Sequence, residues 1–268
     1  MRVREALAQC GLVPVDAQVL LAHVVGRDRS WLAAHRDDDL ARPQADAFFA
    51  LARRRREGEP VAYLTGVKEF WGLPLRVTNA VLVPRPETET LVELALEWIP
   101  AGADARVLDL ATGSGAVALA IAHERPRSQV MATDVSSSAL AVARDNASAL
   151  GLRNVRCIES DWWDAVEGTF DVIVSNPPYV APSDPHLLEG DVRFEPIGAL
   201  VPRGDALSAL RTIATGASRH LAPGGALAVE HAYDQSEAVQ ALLRDAGFSE
   251  IAVRRDLAGI KRVVGGRR

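Results

Sequence analysis

The chain has 268 residues, 48% of them apolar and 24% charged, with a formal net charge of −5. Such a composition is typical of a globular protein that can bury a full core. The net acidity argues against non-specific nucleic-acid binding, which needs a clustered cationic surface. No apolar stretch approaches the ~20 residues that a membrane helix needs, so no membrane partner is expected.

The two cysteines, Cys10 and Cys157, lie far apart in the sequence, and neither belongs to a CxxC or Cys/His pattern. No metal site is therefore expected. Both are predicted to be buried thiols of a reducing compartment. The N-terminal segment lacks the apolar core of a signal peptide, which favours a cytoplasmic location.

Three regions follow one another along the chain. Residues 1–66 are predicted to form a small helical bundle, because apolar side chains such as Val19, Leu20 and Val24 recur at helical spacing. Residues 67–84 are predicted to be a β-hairpin linker, with strands at Phe70–Val77 and Val81–Val83 around the turn Thr78-Asn79-Ala80. Residues 85–268 form the third region.

In the third region, strands alternate with helices. Predicted helices cover Glu87–Trp98, Gly115–Glu124, Ser137–Leu150, Ala206–Leu221 and Glu237–Ala246. Predicted strands cover Val107–Leu110, Val130–Asp134, Val155–Ile158, Phe170–Ser175, Ala226–Glu230, Ile251–Val253 and Arg262–Val264. This alternation predicts an α/β domain with a mainly parallel, doubly wound sheet.

The first strand of this sheet runs into a loop of small residues, Ala111-Thr112-Gly113-Ser114-Gly115, and the second strand ends at Asp134. Small residues let the backbone approach a ligand at a helix N-terminus, and a carboxylate at that spacing can accept hydrogen bonds from both ribose hydroxyls of an adenosine. The alternatives are a tight strand-to-helix turn and a helix cap. Together the two features favour a nucleoside site.

Asp161-Trp162-Trp163 follows the third strand. The acid could accept a hydrogen bond from an adenine amine while one indole lies against the ring. Two adjacent tryptophans cannot both do so, and one is expected to be core packing. Core packing of both is the alternative.

Asn176-Pro177-Pro178-Tyr179 ends the fourth strand. The prolines stop the strand, since they lack an N–H and have a fixed φ. The asparagine oxygen, the fixed carbonyls and the flat tyrosine ring suit a planar group with an N–H₂. That group is either an amide or the exocyclic amine of a base, and the motif does not distinguish them.

In this order, these motifs resemble S-adenosylmethionine-dependent methyltransferases that act on amino nitrogens. The flanking segments Glu59–Gly66, Glu69–Gly72, Val83–Glu89 and Asp184–Pro196 look like the peptide chain release factor N5-glutamine methyltransferase family. The similarity spans nearly the whole chain and is most specific from residue 59 to 203.

The resemblance implies a Rossmann-like methyltransferase domain behind a helical bundle and a hairpin linker. It implies methylation of the glutamine of the Gly-Gly-Gln motif in bacterial release factors. By motif, Ala111 to Gly115 would form the cofactor loop, and Asp134, Asp161, Trp162 and Asn176 would bind S-adenosylmethionine. Asn176, Pro177, Pro178 and Tyr179 would hold the substrate; Asn176 and Pro177 would accept the amide hydrogens, and Tyr179 would pack on the amide plane.

One departure concerns Ala111, where the family usually has glycine. Alanine is expected to be tolerated there if the glycine serves close approach and not a left-handed backbone. Glu87 and Glu89 could line the site or only start the helix after Pro86. The bundle at 1–66 is expected to contact the release factor, since catalysis needs only the third region.

Three other functions fit parts of this pattern: adenine-N6 methylation of DNA or RNA, glutamine methylation of a ribosomal protein, and nucleoside binding without catalysis. Acidic balance and the lack of a large recognition domain oppose a nucleic-acid substrate. The segment Arg85–Glu89 favours the release factor, and the intact motif at Asn176 favours an enzyme.

Overall fold

The computed structural model describes all residues from Met1 to Arg268. Its internal contacts divide the chain into two units. The helical unit comprises Met1–Val67 and Pro185–Phe194, and the sheet unit comprises Lys68–Asp184 and Glu195–Arg268. None of the helices is long and apolar enough to cross a membrane.

The helical unit contains five short helices around a small core in which Leu20, Leu21 and Phe48 are fully buried. Local signals define several ends: Asp28 caps a helix by accepting the Trp31 N–H, and Gly26 ends one in the left-handed conformation. The helices are α1 (Val3–Gln9), α2 (Pro14–Val25), α3 (Arg29–Ala34), α4 (Arg42–Arg56) and α5 (Val61–Thr65).

Residues 185–194 belong to the helical unit although they lie far from it in sequence. Arg55, near the end of α4, pairs with Asp16 at 2.7 Å and with Asp191 at 2.5 Å. Arg193 donates a hydrogen bond to the Glu57 carbonyl. Nothing in the sequence indicated this attachment, because it depends on one ion pair and one hydrogen bond between residues 136 positions apart.

The sheet unit contains a seven-stranded sheet with the strand order β5-β4-β3-β6-β7-β9-β8. Strands β3 to β7 run parallel, and β9 pairs antiparallel with both β7 and β8. The strands are β3 (Arg106–Leu110), β4 (Gln129–Asp134), β5 (Val155–Glu159), β6 (Phe170–Ser175), β7 (Leu221–Glu230), β8 (Ser249–Arg255) and β9 (Lys261–Arg267). The predicted mainly parallel α/β fold is confirmed.

Helices cover both faces of this sheet, because successive strand residues point to opposite sides. In β3, Val107 packs in one core with α6 and α7, whereas Leu108 and Leu110 pack in the other with α10 and α11. The helices are α6 (Glu89–Trp98), α7 (Ala116–Glu124), α8 (Ser137–Ala149), α9 (Ile197–Leu200), α10 (Ser208–His220) and α11 (Ser236–Asp245).

The hairpin lies earlier than predicted. Its strands are β1 (Val67–Phe70) and β2 (Leu73–Arg76), and Val81–Val83 forms no strand. The turn is Trp71-Gly72, with φ of +55° and +71°, which matches the twist of a two-residue hairpin turn. The polar triplet Thr78–Ala80 does form a turn, in which the Val81 N–H donates to the Thr78 carbonyl at 3.1 Å. It is not the hairpin turn predicted there, because no strand follows it.

The hairpin is also part of the sheet unit rather than a free connector. Phe70, Leu73 and Leu75 are buried in the same core as α6 and α7. The chain order places the switch in winding direction at β3, whose neighbours are β4 on one side and β6 on the other. A crevice is expected at the carboxyl ends of these three strands.

Candidate active site

A cleft of about 320 Å³ opens at the carboxyl ends of β3, β4 and β6. That volume is within the range of small-molecule sites. The predicted residues that line it are Ala111, Thr112, Gly113, Ser114, Asp134, Asp161, Trp162, Asn176 and Pro178. The structure therefore brings together motifs that are up to 67 positions apart in the sequence.

Three predicted residues do not line this cleft: Gly115, Pro177 and Tyr179. Gly115 is the N-cap of α7 with φ of +86°, and a Cβ there would approach Leu119 Cδ1 to 3.0 Å. It therefore serves the backbone turn and the packing behind the loop. Pro177 is buried, and Tyr179 points elsewhere, as described below.

Ala111 adopts a left-handed conformation with φ of +57°. The condition under which alanine was expected to be tolerated, a position that serves close approach and not a left-handed backbone, is therefore not met. A Cβ in that conformation clashes with the backbone, which costs roughly 1–2 kcal/mol. The strain lies in the loop that lines the cleft, where such outliers are typical of functional sites.

Relief of this strain should be measurable in the free energy of unfolding. Ala111→Gly should raise the free energy of unfolding by about 0.5–1 kcal/mol in urea denaturation. This net gain is smaller than the strain itself, because glycine also gives the unfolded chain more conformational entropy. The matched control is Ala141→Gly, on the exposed side of α8, which should lower the free energy of unfolding by about 1 kcal/mol. Equal losses in both variants would show that Ala111 is unstrained.

Asp134 ends β4 and is half-buried. Its Oδ2 accepts the Gly113 N–H and its Oδ1 accepts the Ser136 N–H, both at 2.9 Å. Burial raises the pKa of this carboxyl, and the backbone hydrogen bonds oppose the shift. A carboxylate has about four acceptor positions, so each oxygen can accept one more hydrogen bond from a ligand in the cleft. Ser136, and not Asp134, caps α8 by accepting the Ala139 N–H.

Asp109, one residue before the end of β3, also lines the cleft and was not predicted as a site residue. It is 1% exposed, and its Oδ2 accepts the Thr112 hydroxyl at 2.6 Å and the Ala118 N–H at 3.2 Å. Burial raises its pKa to about 7, with a smaller contribution from Asp134. Its position at the end of β3, two residues before the small-residue loop, was the available signal.

The raised pKa of Asp109 makes stability depend on pH. The unfolded carboxyl ionises near 3.8, whereas the folded one holds its proton to about pH 7. The folded state thus binds more protons in this interval, so stability is lost as the pH rises from about 4 through 7. In Asp109→Asn, the free energy of unfolding should therefore fall less steeply with pH than in the wild type, by up to about 1.4 kcal/mol per pH unit. Urea denaturation at pH 5, 6, 7 and 8 measures it, and an unchanged slope would contradict the prediction.

The two adjacent tryptophans take different roles. Trp162 lines the cleft with φ of +51°, and the Ser160 hydroxyl holds this turn by donating to the Trp162 carbonyl at 2.9 Å. Trp163 donates its Nε1–H to the Thr212 carbonyl and stacks on His220 at 4.9 Å. Asp161 lines the cleft too, and its carboxylate pairs with Arg203 at 2.7 Å on the surface.

Asn176 lies where β6 ends, and its Nδ2 donates to the Thr88 hydroxyl at 3.1 Å. Thr88 is buried and also lines the cleft. With the nitrogen engaged, Oδ1 is the free acceptor of the Asn176 amide. Sequence reasoning missed Thr88, although it lies between the two glutamates that were considered.

Tyr179 does not pack against the cleft. Its hydroxyl donates to Glu230 Oε1 at 3.0 Å, and its ring joins the core beside α10 and α11. This position of Tyr179 does not favour packing on a substrate amide plane, which stays a prediction. Burial and the Glu230 carboxylate raise the tyrosine pKa well above its usual value.

Glu230 ends β7 and is 2% exposed. Burial raises its pKa to about 7, while hydrogen bonds from Thr88 and Tyr179 and the charge of Arg262 oppose the shift. The neighbouring His231 is buried, and burial lowers its pKa. Its Nδ1 lies 2.7 Å from the Ala232 carbonyl, which agrees with a structural role.

The glutamates after Pro86 do not line the cleft. Glu89 lies in the first turn of α6 and accepts the Trp71 N–H at 2.9 Å. Arg85, in contrast, does line the cleft and pairs at 2.7 Å with the buried Glu195. This pair ties the wall formed by Pro196–Arg203 to the segment before α6. No cluster of three or more His, Cys, Asp or Glu side chains is arranged to hold a metal ion.

Comparison with known proteins identifies the family. A PrmC N-terminal domain model matches residues 1–66, and a methyltransferase small domain model matches residues 88–189. A release factor glutamine methyltransferase of Bordetella pertussis is 52% identical over 98% of both chains. The chain belongs to the release factor glutamine methyltransferase family. Another member, from Xylella fastidiosa, is 52% identical over 94% of this chain and 92% of its own.

Membership confirms the resemblance seen in the segments around the site, and it makes the protein a methyltransferase. A solved methyltransferase structure from Pyrococcus furiosus has the same fold, with a TM-score of 0.57 and 21% identity over 80% of this chain and 96% of that one. The matched methyltransferase region contains the loop after β3, Asp134 and Asn176. Glu230 lies beyond it.

Proposed function

We propose that this enzyme transfers a methyl group from S-adenosylmethionine to the side-chain nitrogen N5 of the glutamine in the Gly-Gly-Gln motif of bacterial release factors. The observation that carries the proposal is the position of Asn176. Its amide lines the same cleft as the small-residue loop and Asp134, and its Nδ2 is already engaged by Thr88. An acceptor oxygen is thus available beside a nucleoside-type site.

The residues present fit the cofactor. Asp134 keeps acceptor positions for ribose hydroxyls, because a carboxylate has about four of them and the N–H groups of Gly113 and Ser136 occupy two. Ala111 to Ser114 bring backbone close to the ligand, and Trp162 and Asp161 line the part of the cleft proposed for the adenine. S-adenosylmethionine supplies, when bound, a methyl group already activated on a sulfonium.

The protein has to position a poor nucleophile. The lone pair of an amide nitrogen is delocalised into its carbonyl, so alignment and exclusion of water matter more than a general base. Positioning of this kind can supply roughly 7–11 kcal/mol. Asn176 Oδ1 accepts one amide hydrogen, which stabilises charge that develops on the nitrogen. The Pro177 carbonyl is the proposed acceptor of the other, although Pro177 is buried and does not line the cleft in this structure.

The release factor is proposed to contact the helical unit as well as the cleft. All residues that line the cleft lie in the sheet unit, so the helical unit is free to bind the rest of the substrate. A lower KM for a whole release factor than for a Gly-Gly-Gln peptide is the expected sign of such a contact. Cytoplasmic localisation is part of the same proposal, since translation termination takes place there.

Mass spectrometry tests the reaction. When a release factor is incubated with enzyme and S-adenosylmethionine, its Gly-Gly-Gln peptide should gain the mass of one CH₂ group. The Asn176→Ala enzyme should produce little of this modified peptide. Parallel incubations use DNA, RNA and ribosomal proteins with labelled cofactor. Labelling of adenine, or of a ribosomal protein in place of the release factor, would overturn the proposal.

A further inference from the structure

A buried chain of three polar side chains lies behind the asparagine of the cleft. Asn176 Nδ2 donates to Thr88 Oγ1 at 3.1 Å, and Tyr179 donates to Glu230 Oε1 at 3.0 Å. Thr88 is 4% exposed, and its hydroxyl favours the ionised form of Glu230, which opposes the rise in the pKa of that acid. Thr88 comes from the short helical turn Pro86–Thr88 before α6, and Glu230 comes from the end of β7.

A threonine hydroxyl has one hydrogen and two acceptor lone pairs. When that hydrogen points to Glu230, only lone pairs face Asn176, and they require a donor. The side-chain amide of asparagine offers a donor from Nδ2 alone, so this arrangement selects one of its two orientations. The observed contact of Asn176 Nδ2 with Thr88 is the orientation in which Oδ1 faces the cleft, and an acceptor at Glu230 favours it.

We propose that Thr88 is a positioning residue for methyl transfer, which directs the Asn176 oxygen toward the substrate, with Glu230 as the anchor that directs the Thr88 hydroxyl. The inference rests on the proposed function, because it assumes that the substrate group in the cleft is an N–H₂ donor. If the Asn176 amide were reversed, its Nδ2 hydrogens would face the N–H₂ hydrogens of the substrate, and both groups would lack an acceptor.

The charges around Glu230 support this arrangement. Arg262, whose Nε is 2.9 Å from Asp256 Oδ2, favours the ionised acid, and Glu87 opposes it. Glu230 Oε2 is buried without a hydrogen bond of good geometry. An ionised carboxylate is a stronger acceptor than a protonated acid, so the charge of Arg262 favours donation from the Thr88 hydroxyl toward Glu230.

The test compares variants that differ in one hydroxyl. Thr88→Val removes the acceptor and keeps the shape, and Thr88→Ser restores it. We expect Thr88→Val to lower kcat on a release factor about tenfold or more, with the cofactor Kd within twofold of wild type. Thr88→Ser should stay within about threefold of wild-type kcat. Thr90→Val, at another buried threonine that does not line the cleft, is the matched control and should keep its kcat.

A double-mutant cycle tests whether Thr88 acts through the orientation of the Asn176 amide. Aspartate at position 176 has an acceptor oxygen at either orientation, so Thr88→Val should change kcat by less than about threefold in an Asn176→Asp background. Glu230→Gln should lower kcat in the same direction as Thr88→Val, by a smaller factor. Equal effects of Thr88→Val in both backgrounds, or no effect in either, would overturn the inference.

One readout does not depend on the substrate. The side-chain amide of Asn176, assigned in ¹⁵N NMR spectra by its loss in Asn176→Ala, should shift in Thr88→Val and not in Thr88→Ser. If the wild type does not methylate release factors, the proposed function fails, and these spectra still decide the orientation. Unchanged Asn176 resonances in Thr88→Val would overturn the positioning role even in an active enzyme.

Discussion

Asn176→Ala should lower kcat for methylation of a release factor by about a hundredfold. The variant removes the acceptor that faces the substrate nitrogen, and loss of one such preorganised group costs about 3 kcal/mol. The Kd for the cofactor should change much less, because the other lining residues remain. Single-turnover kinetics with saturating cofactor measures the effect.

Asn176→Asp is the control for shape. It keeps an acceptor oxygen at the same place and should retain more activity than the alanine variant. Because β6 is buried and paired on both sides, neither change is expected to alter the sheet. Near wild-type turnover of Asn176→Ala would show that the acceptor is not used.

Asp134→Ala should weaken binding of S-adenosylmethionine about a hundredfold. Two hydrogen bonds from ribose hydroxyls to an ionised carboxylate contribute roughly 1.5–3 kcal/mol each, and part of this is recovered from water. The variant also removes the acceptor of the Gly113 N–H, so the loop loses support. Isothermal titration calorimetry with the cofactor gives the Kd.

Asp145→Asn is the matched control for this change. Asp145 lies on α8 and forms an exposed pair with Arg76, outside the cleft. It should bind the cofactor as the wild type does. Asp134→Asn, which keeps the shape but loses the charge, should lie between the two. Unchanged affinity in Asp134→Ala would contradict a ribose contact.

Much of the cleft could be predicted from local pattern. Small residues after β3, an acid at the end of β4 and an Asn-Pro-Pro-Tyr after β6 are each visible in the sequence. Parallel strands present their carboxyl ends at one edge, so residues that follow neighbouring strands meet there. The order of the strands then placed Ala111, Asp134 and Asn176 together.

Other features of the site and the fold could not be predicted from the sequence, because they depend on contacts between residues far apart in the chain. Thr88 meets Asn176 across 88 positions, and Arg85 meets Glu195 across 110. The hairpin was misplaced because the turn at Thr78–Ala80 was taken for the hairpin turn. The hairpin turns at Trp71-Gly72 instead, and this register buries Phe70 and Leu75 in the sheet core. Local turn chemistry carries no information on such burial.

The sequence by itself determined the fold class, the family and the residues that follow each central strand, because hydrophobic period and motif spacing are local properties. The tertiary structure alone decided the direction of each side chain. It directed the Tyr179 hydroxyl to Glu230 and the Asn176 nitrogen to Thr88. It also placed Ala111 in a left-handed conformation. The directions of the Tyr179 and Asn176 side chains follow from the need of buried polar groups for hydrogen-bond partners, and those partners come from distant strands and helices.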